Sequence, residues 1–243
     1  MSARHAPELI AVRAVLARLA GIFVIGIAGC AGKAPTPEWQ VEAHDALGRY
    51  ENAHLTGRDR VAAAEFDLAR RNLAATGQPT LVARAELTRC AMQVASLAFV
   101  PCTGLAPLRA DAAAAERAYA DYLEGRVTAG DAALLPPAHR AIAGALAQGR
   151  TVEAAQLRAI EDPLARLIAA GVALRMQLAA PDVLAAASEA ASAQGWRRPL
   201  LAWLGAQAMR AEGAGAADEA QRLRRRMALV ESGSAPAANP PRP

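Results

Sequence analysis

Between Pro37 and Glu231, glycines and prolines cut the chain into ten stretches of helical length, and within them apolar residues recur every three or four positions. The stretch opening at Asp162-Pro163 shows the logic. Asp162 supplies a capping carboxylate, and Pro163 takes the first helical position, where its missing amide costs no hydrogen bond. Leu164, Leu167, Ile168, Gly171, Leu174 and Leu178 then form one stripe, with Arg166, Arg175 and Gln177 outside it. Leu108, Ala115, Tyr119 and Tyr122 make a similar stripe. Runs of Val, Ile and Thr alternating with period two are absent, and aromatic residues are 4% of the chain, so nothing supplies the pattern a strand needs. The fold class is all-α. Spacing and punctuation predict helices over 37–54, 59–76, 80–97, 107–124, 136–148, 151–160, 163–178, 181–194, 198–212 and 216–231. The short connections imply antiparallel neighbours, hence a series of helical hairpins.

The first 29 residues follow other rules. Arg4, Arg13 and Arg18 make a basic start, and Leu19 to Gly29 then carries no charge. That apolar run is too short for the roughly twenty residues of a spanning helix, but it suits the core of an export signal. Extending it backwards would bury Arg13 and Arg18 in lipid, at about 2.5 to 3.5 kcal/mol each. The run ends on Ile27-Ala28-Gly29-Cys30, which resembles the lipobox of bacterial lipoproteins. The resemblance implies cleavage before Cys30, a covalent diacylglycerol on its thiol and an N-acyl lipid on its freed amino group, with no other cofactor. Ala31 follows in place of the aspartate associated with inner-membrane retention, which implies the periplasmic face of the outer membrane. Residues 30–37 then read as a lipidated tether, 38–231 as the helical domain, and 232–243, rich in Pro and Ala, as a disordered tail.

Charge argues against nucleic acid as a partner. The leader's three arginines and one glutamate account for +2 of the formal +4, and the remainder is near neutral. Export also changes the reading of Cys90 and Cys102, because an oxidising periplasm makes a disulfide the default. Cys90 lies on the stripe Leu87, Cys90, Val94, Leu97. A helix continued to Phe99 would carry the chain about 13 Å past Cys90 and leave three residues for the return, whereas bridged Cα atoms must lie within about 7 Å. The helix is therefore expected to stop near Leu97, with 100–102 folding back.

Hairpins of this size also suggest a repeat array. Ala53, Gly57, Ala62, Phe66 and Ala69 resemble the small and aromatic positions of a tetratricopeptide repeat, and 201–220 resembles it more loosely. The expected architecture is a tetratricopeptide-like right-handed stack or an irregular helical bundle.

Chemistry is sparse. His44, His54 and His139 form no metal-binding pair, and neither a nucleophile elbow nor a phosphate loop occurs, so no catalytic or metal residues are assigned. Carboxylates such as Glu65, Asp67 and Glu86, or Glu116, Asp121 and Glu124, fall at spacings expected of solvated helix faces. Candidate partner-binding residues are Trp196, Trp203 and Met209, as parts of a peptide groove, and Arg222, Arg224, Arg225 and Arg226, as contacts to headgroups or an anionic polymer. Trp39 is either interfacial or a first core anchor. The expectation is a membrane-anchored, non-enzymatic interaction or assembly module for envelope proteins or peptides. The alternatives are a peptidoglycan hydrolase or its activator, and a carrier of lipid or a small molecule. The lipid-anchor reading predicts that Cys30→Ser releases the protein as a soluble or unprocessed form; fractionation that still finds it wholly in membranes would refute it.

Overall fold

The computed structural model describes residues 36–233; the leader, Cys30, most of the tether and residues 234–243 lie outside them. The described residues form ten α-helices: α1 Glu38–Leu55, α2 Asp59–Ala74, α3 Pro79–Ala95, α4 Ala114–Leu123, α5 Pro137–Ala147, α6 Ala154–Arg158, α7 Pro163–Arg175, α8 Val183–Ala193, α9 Arg197–Gly213 and α10 Ala217–Ser232. Each corresponds to an expected helix. The all-α class holds: the described residues contain no strand, only one isolated bridge between Val152 and Ala179. None of the described helices is long and apolar enough to cross a membrane.

Most boundaries lie within a few residues of the spacing, and two depart from it for a tertiary reason. The spacing predicts one helix over 107–124, but Ala106–Leu108 is a separate 3₁₀ turn and α4 starts at Ala114. Cys102 is bonded to Cys90 on α3, and the chain buries Leu105 and Ala112 on its way to α4. The expected 151–160 helix shrinks to α6, because Val152 leaves the helical path. Its amide donates to the Leu178 carbonyl at 2.7 Å, and its own carbonyl accepts from Ala180 at 2.8 Å. Ser232, expected to open the tail, is the last residue of α10.

Helices α1 and α2 pack as an antiparallel hairpin around Ala53, Ala62 and Ala69, with the Tyr50 and Phe66 rings 5.1 Å apart. The turn needs Gly57, which sits at φ +80°, a conformation a side chain disfavours. At the other end α8, α9 and α10 pack in succession. Long-range contacts join the two ends. Helix α3 packs on α7, four helices later, and the start of α9 docks on the α1–α2 turn, where Arg198 Nε donates to the His54 carbonyl at 2.7 Å. In a solenoid each repeat touches only its neighbours. These contacts are those of an irregular bundle, whose two core clusters are bridged by Leu108, Leu164 and Trp196.

The C-terminal end of α3 anchors that core. Gly171 of α7 lies directly over the Val94 carbonyl, and a Cβ there would also come within 2.8 Å of Val94 Cγ1. The next carbonyl, Ala95, accepts a 3.0 Å hydrogen bond from the indole of Trp203, a fully buried residue of α9. Trp203 thus satisfies one of the orphan carbonyls that end a helix. The helix stops where the disulfide geometry requires. Leu97 turns into the left-handed region at φ +58°, and the Cys90 and Cys102 Cα atoms lie 5.8 Å apart. Closing that loop contributes about 3 kcal/mol in the chain-entropy model.

Gly171→Ala is expected to destabilise by about 1–3 kcal/mol through overpacking, read as a lower urea midpoint at unchanged slope. Gly144 on α5 has open space where a Cβ would lie and an ordinary φ, so Gly144→Ala is expected to leave the midpoint equal or higher.

Candidate functional site

Arg84, Leu87 and Thr88 share one face of α3 by their three- and four-residue spacing, and Ala115, Glu116 and Tyr119 present themselves from the first turns of α4. Leu134, Leu135 and Pro136 close the third side from the 3₁₀ turn Asp131–Leu134, and Arg140 stands just inside α5. Together they line a cleft of about 430 Å³. It opens to solvent, since the Leu134 side chain and the Arg84 guanidinium at its edge are exposed.

Glu116 is the polar centre of this cleft and only 6% exposed. Its Oε1 accepts from Arg84 Nε at 2.7 Å, while Oε2 is buried without a hydrogen-bond partner. Burial alone would push the carboxyl up. The Arg84 guanidinium, helped by the nearby amides of Glu116 and Ala113, outweighs it and holds the group below the ordinary carboxylate range. The cleft therefore contains an ionised carboxylate at neutral pH. Arg140 Nε donates to the Leu135 carbonyl at 2.8 Å, and no carboxylate among the described residues pairs with this guanidinium.

Behind Tyr119 lies a cluster of rings. His139 is buried, with its centroid 5.6 Å from Tyr119 and 5.2 Å from Tyr122, and the Tyr122 hydroxyl is 3.4 Å from His139 Nδ1. Burial lowers the imidazole from 6.5 to about 4, against the opposing influence of Asp162. Burial likewise raises the Tyr119 hydroxyl, with Asp162 and Glu51 adding to it. Glu51 is itself pushed up by burial, with Asp162 reinforcing and His44 opposing. Asp162 is occupied as the cap of α7, accepting from the Leu164 amide at 2.8 Å.

The candidates chosen from sequence are not brought together. Trp203 lies in the core. Trp196 is half-buried at the start of α9, packed against both groups of core side chains, and Met209 is 68% exposed further along the same helix. Trp39 packs against the α1–α2 core. On α10, Arg222 pairs with Glu219 and Arg224 with Glu212 at 2.5 Å, while Arg225 and Arg226 are exposed. No group of three or more metal-type ligands occurs among the described residues.

Two carboxylates expected on solvated faces are buried instead. Glu86 is 1% exposed, 2.9 Å from Arg70 Nε and 2.5 Å from Arg89 Nη2, and Gly104 of the disulfide loop packs on this pair so closely that a Cβ would collide with it. Glu116 is the other. The signal in the sequence is register: Glu86 is four residues before Cys90 and Glu116 three before Tyr119, so both share a face with an apolar stripe. No family model matches the chain, and no curated protein or solved structure matches it either.

The buried imidazoles set a pH dependence. His139 and His54 both have folded values near 4, the latter through burial and then the neighbouring Arg198, below an ordinary 6.5. Between pH 4 and 6.5 the unfolded chain binds more protons, so this stability is present above 6.5 and lost as pH falls towards 4. For His139 the loss is on the order of 3 kcal/mol. Glu51, shifted upward, acts in the opposite sense above its ordinary value. His139→Phe is expected to flatten the stability profile across this window in denaturant titrations; an unchanged slope would contradict the assignment.

Proposed function

We propose that the protein is an outer-membrane lipoprotein whose helical domain holds other envelope components without transforming them. The observation that carries the binding reading is the cleft on α3 and α4. Its walls combine an apolar side, Leu87, Ala115, Leu134, Leu135 and Pro136, with a few polar groups, and its single lining carboxylate is held ionised by Arg84 rather than poised as a general acid. A glycosidase-type hydrolase would place two carboxylates face to face across its cleft. The raised carboxyl nearest to that description, Glu51, has as its acidic neighbour Asp162, which is engaged in capping α7. A lipid carrier would enclose its apolar space, and this cleft is open at Arg84 and Leu134.

The location in this proposal rests on the leader, where Ile27-Ala28-Gly29-Cys30 resembles a lipobox. The Cys90–Cys102 disulfide accords with an oxidising compartment. The domain would then face the periplasm on a short tether, its cleft within reach of envelope proteins or peptides.

In-cell crosslinking followed by purification from detergent-solubilised membranes tests the proposal, with Cys30→Ser in parallel. Capture of a stoichiometric envelope protein by the wild type, and its loss from Cys30→Ser, is the expected result. Recovery of the wild type alone, or with glycan fragments, would overturn it.

A further inference from the structure

We propose that the cleft on α3 and α4 receives the free C-terminus of a peptide that ends in an apolar residue. The inference rests on the reading of this cleft as a binding site and adds the chemistry of its occupant.

Three demands converge on the ligand. Glu116 is more than nine-tenths buried and its Oε2 makes no hydrogen bond of normal geometry, so an occupant that brings a donor there is favoured. Arg84 and Glu116 neutralise one another, and the exposed Arg140 leaves the cleft one positive charge in excess, so a negative charge on the occupant is favoured. The remaining wall, from Leu87 and Ala115 to Leu134, Leu135 and Pro136, is apolar and demands an apolar body. A fatty acid meets the second and third demands but leaves Oε2 unpaired. An amine meets the first and leaves Arg140 uncompensated. A peptide C-terminus meets all three: its last amide N–H serves Glu116, its carboxylate serves Arg140, and its final side chain fills the apolar wall. A cleft of about 430 Å³ has room for more than one residue, within the usual size of ligand pockets.

The test uses the full-length protein purified in detergent, with calorimetric titration. Probes are acetylated tetrapeptides ending in Ala, Val, Leu or Phe, each as free acid and as C-terminal amide, together with laurate. At least one free acid is expected to bind, its amide about tenfold more weakly, the loss of roughly one charge-assisted hydrogen bond, and laurate more weakly still. Arg140→Met is expected to abolish the acid-over-amide preference. Because that preference is measured first on the wild type, the test does not depend on any variant folding. Equal affinity for acid and amide would overturn the C-terminal assignment while leaving a peptide-binding cleft. Laurate binding as tightly as the acids would remove the role given to Glu116. No binding of any peptide up to about 1 mM would overturn the proposal, and partner capture in the crosslinking experiment would then show that the broader reading stands without it.

Discussion

The close crossing of α3 and α7 at Val94 and Gly171 is the contact on which the rest of the bundle depends. Only a residue without a side chain lets the two backbones approach this far, and the approach buries the end of α3 among carbonyls that still need donors. Trp203 answers that need from α9. One tryptophan therefore fills core volume and also caps a distant helix, tying the C-terminal helices to the centre. The disulfide acts on the same helix from the other side. It turns the chain back after Leu97 and sets Gly104 on the buried Glu86 pair, so three constraints of different chemistry converge on a few turns of α3.

That convergence places the cleft. Arg84, Leu87 and Thr88 lie on the helix held by Gly171, Trp203 and the disulfide, and Glu116 reaches across from α4 to the Arg84 guanidinium. The pair costs desolvation on the Glu116 side alone, since the Arg84 guanidinium stays in solvent, and it is a weak source of stability. Its clearer effect is to fix the register of α4 against α3 and to keep a carboxylate ionised in an apolar wall. Glu86 plays the corresponding structural part between α2 and α3, where Arg70 comes from one helix and Arg89 from the other. The two carboxylates differ in surroundings. Glu86 is enclosed by two guanidiniums and a glycine, whereas Glu116 lines the cleft and meets one guanidinium.

Much of the fold is legible in the sequence because helix punctuation is local chemistry. Asp162 caps α7 and Pro163 opens it as their positions imply, and the return of the chain between Cys90 and Cys102 follows from the reach of three residues. The candidate site is far less legible. Trp203 has the look of an interface aromatic and is core, while Glu116 has the spacing of a solvated residue and is buried. Residue type cannot separate these cases, since a tryptophan or a glutamate is compatible with either environment until its neighbours are known. Register against the apolar stripe is the only local clue, and an alanine-rich chain blurs the edges of every stripe.

By itself the sequence determined the all-α class and the ten helices, and, given a bond between Cys90 and Cys102, where α3 must stop, because spacing, capping and chain reach act over a few residues. It also carried the lipobox resemblance, which concerns residues outside those the structure describes. Tertiary structure alone decided that α3 meets α7, that Leu108, Leu164 and Trp196 join the two core clusters, and that Arg84, Glu116 and Arg140 border a common cleft. Those outcomes turn on contacts between residues tens of positions apart. At that range a missing Cβ at Gly171 or an indole from α9 sets how closely helices approach, and no local pattern records which partner each will meet.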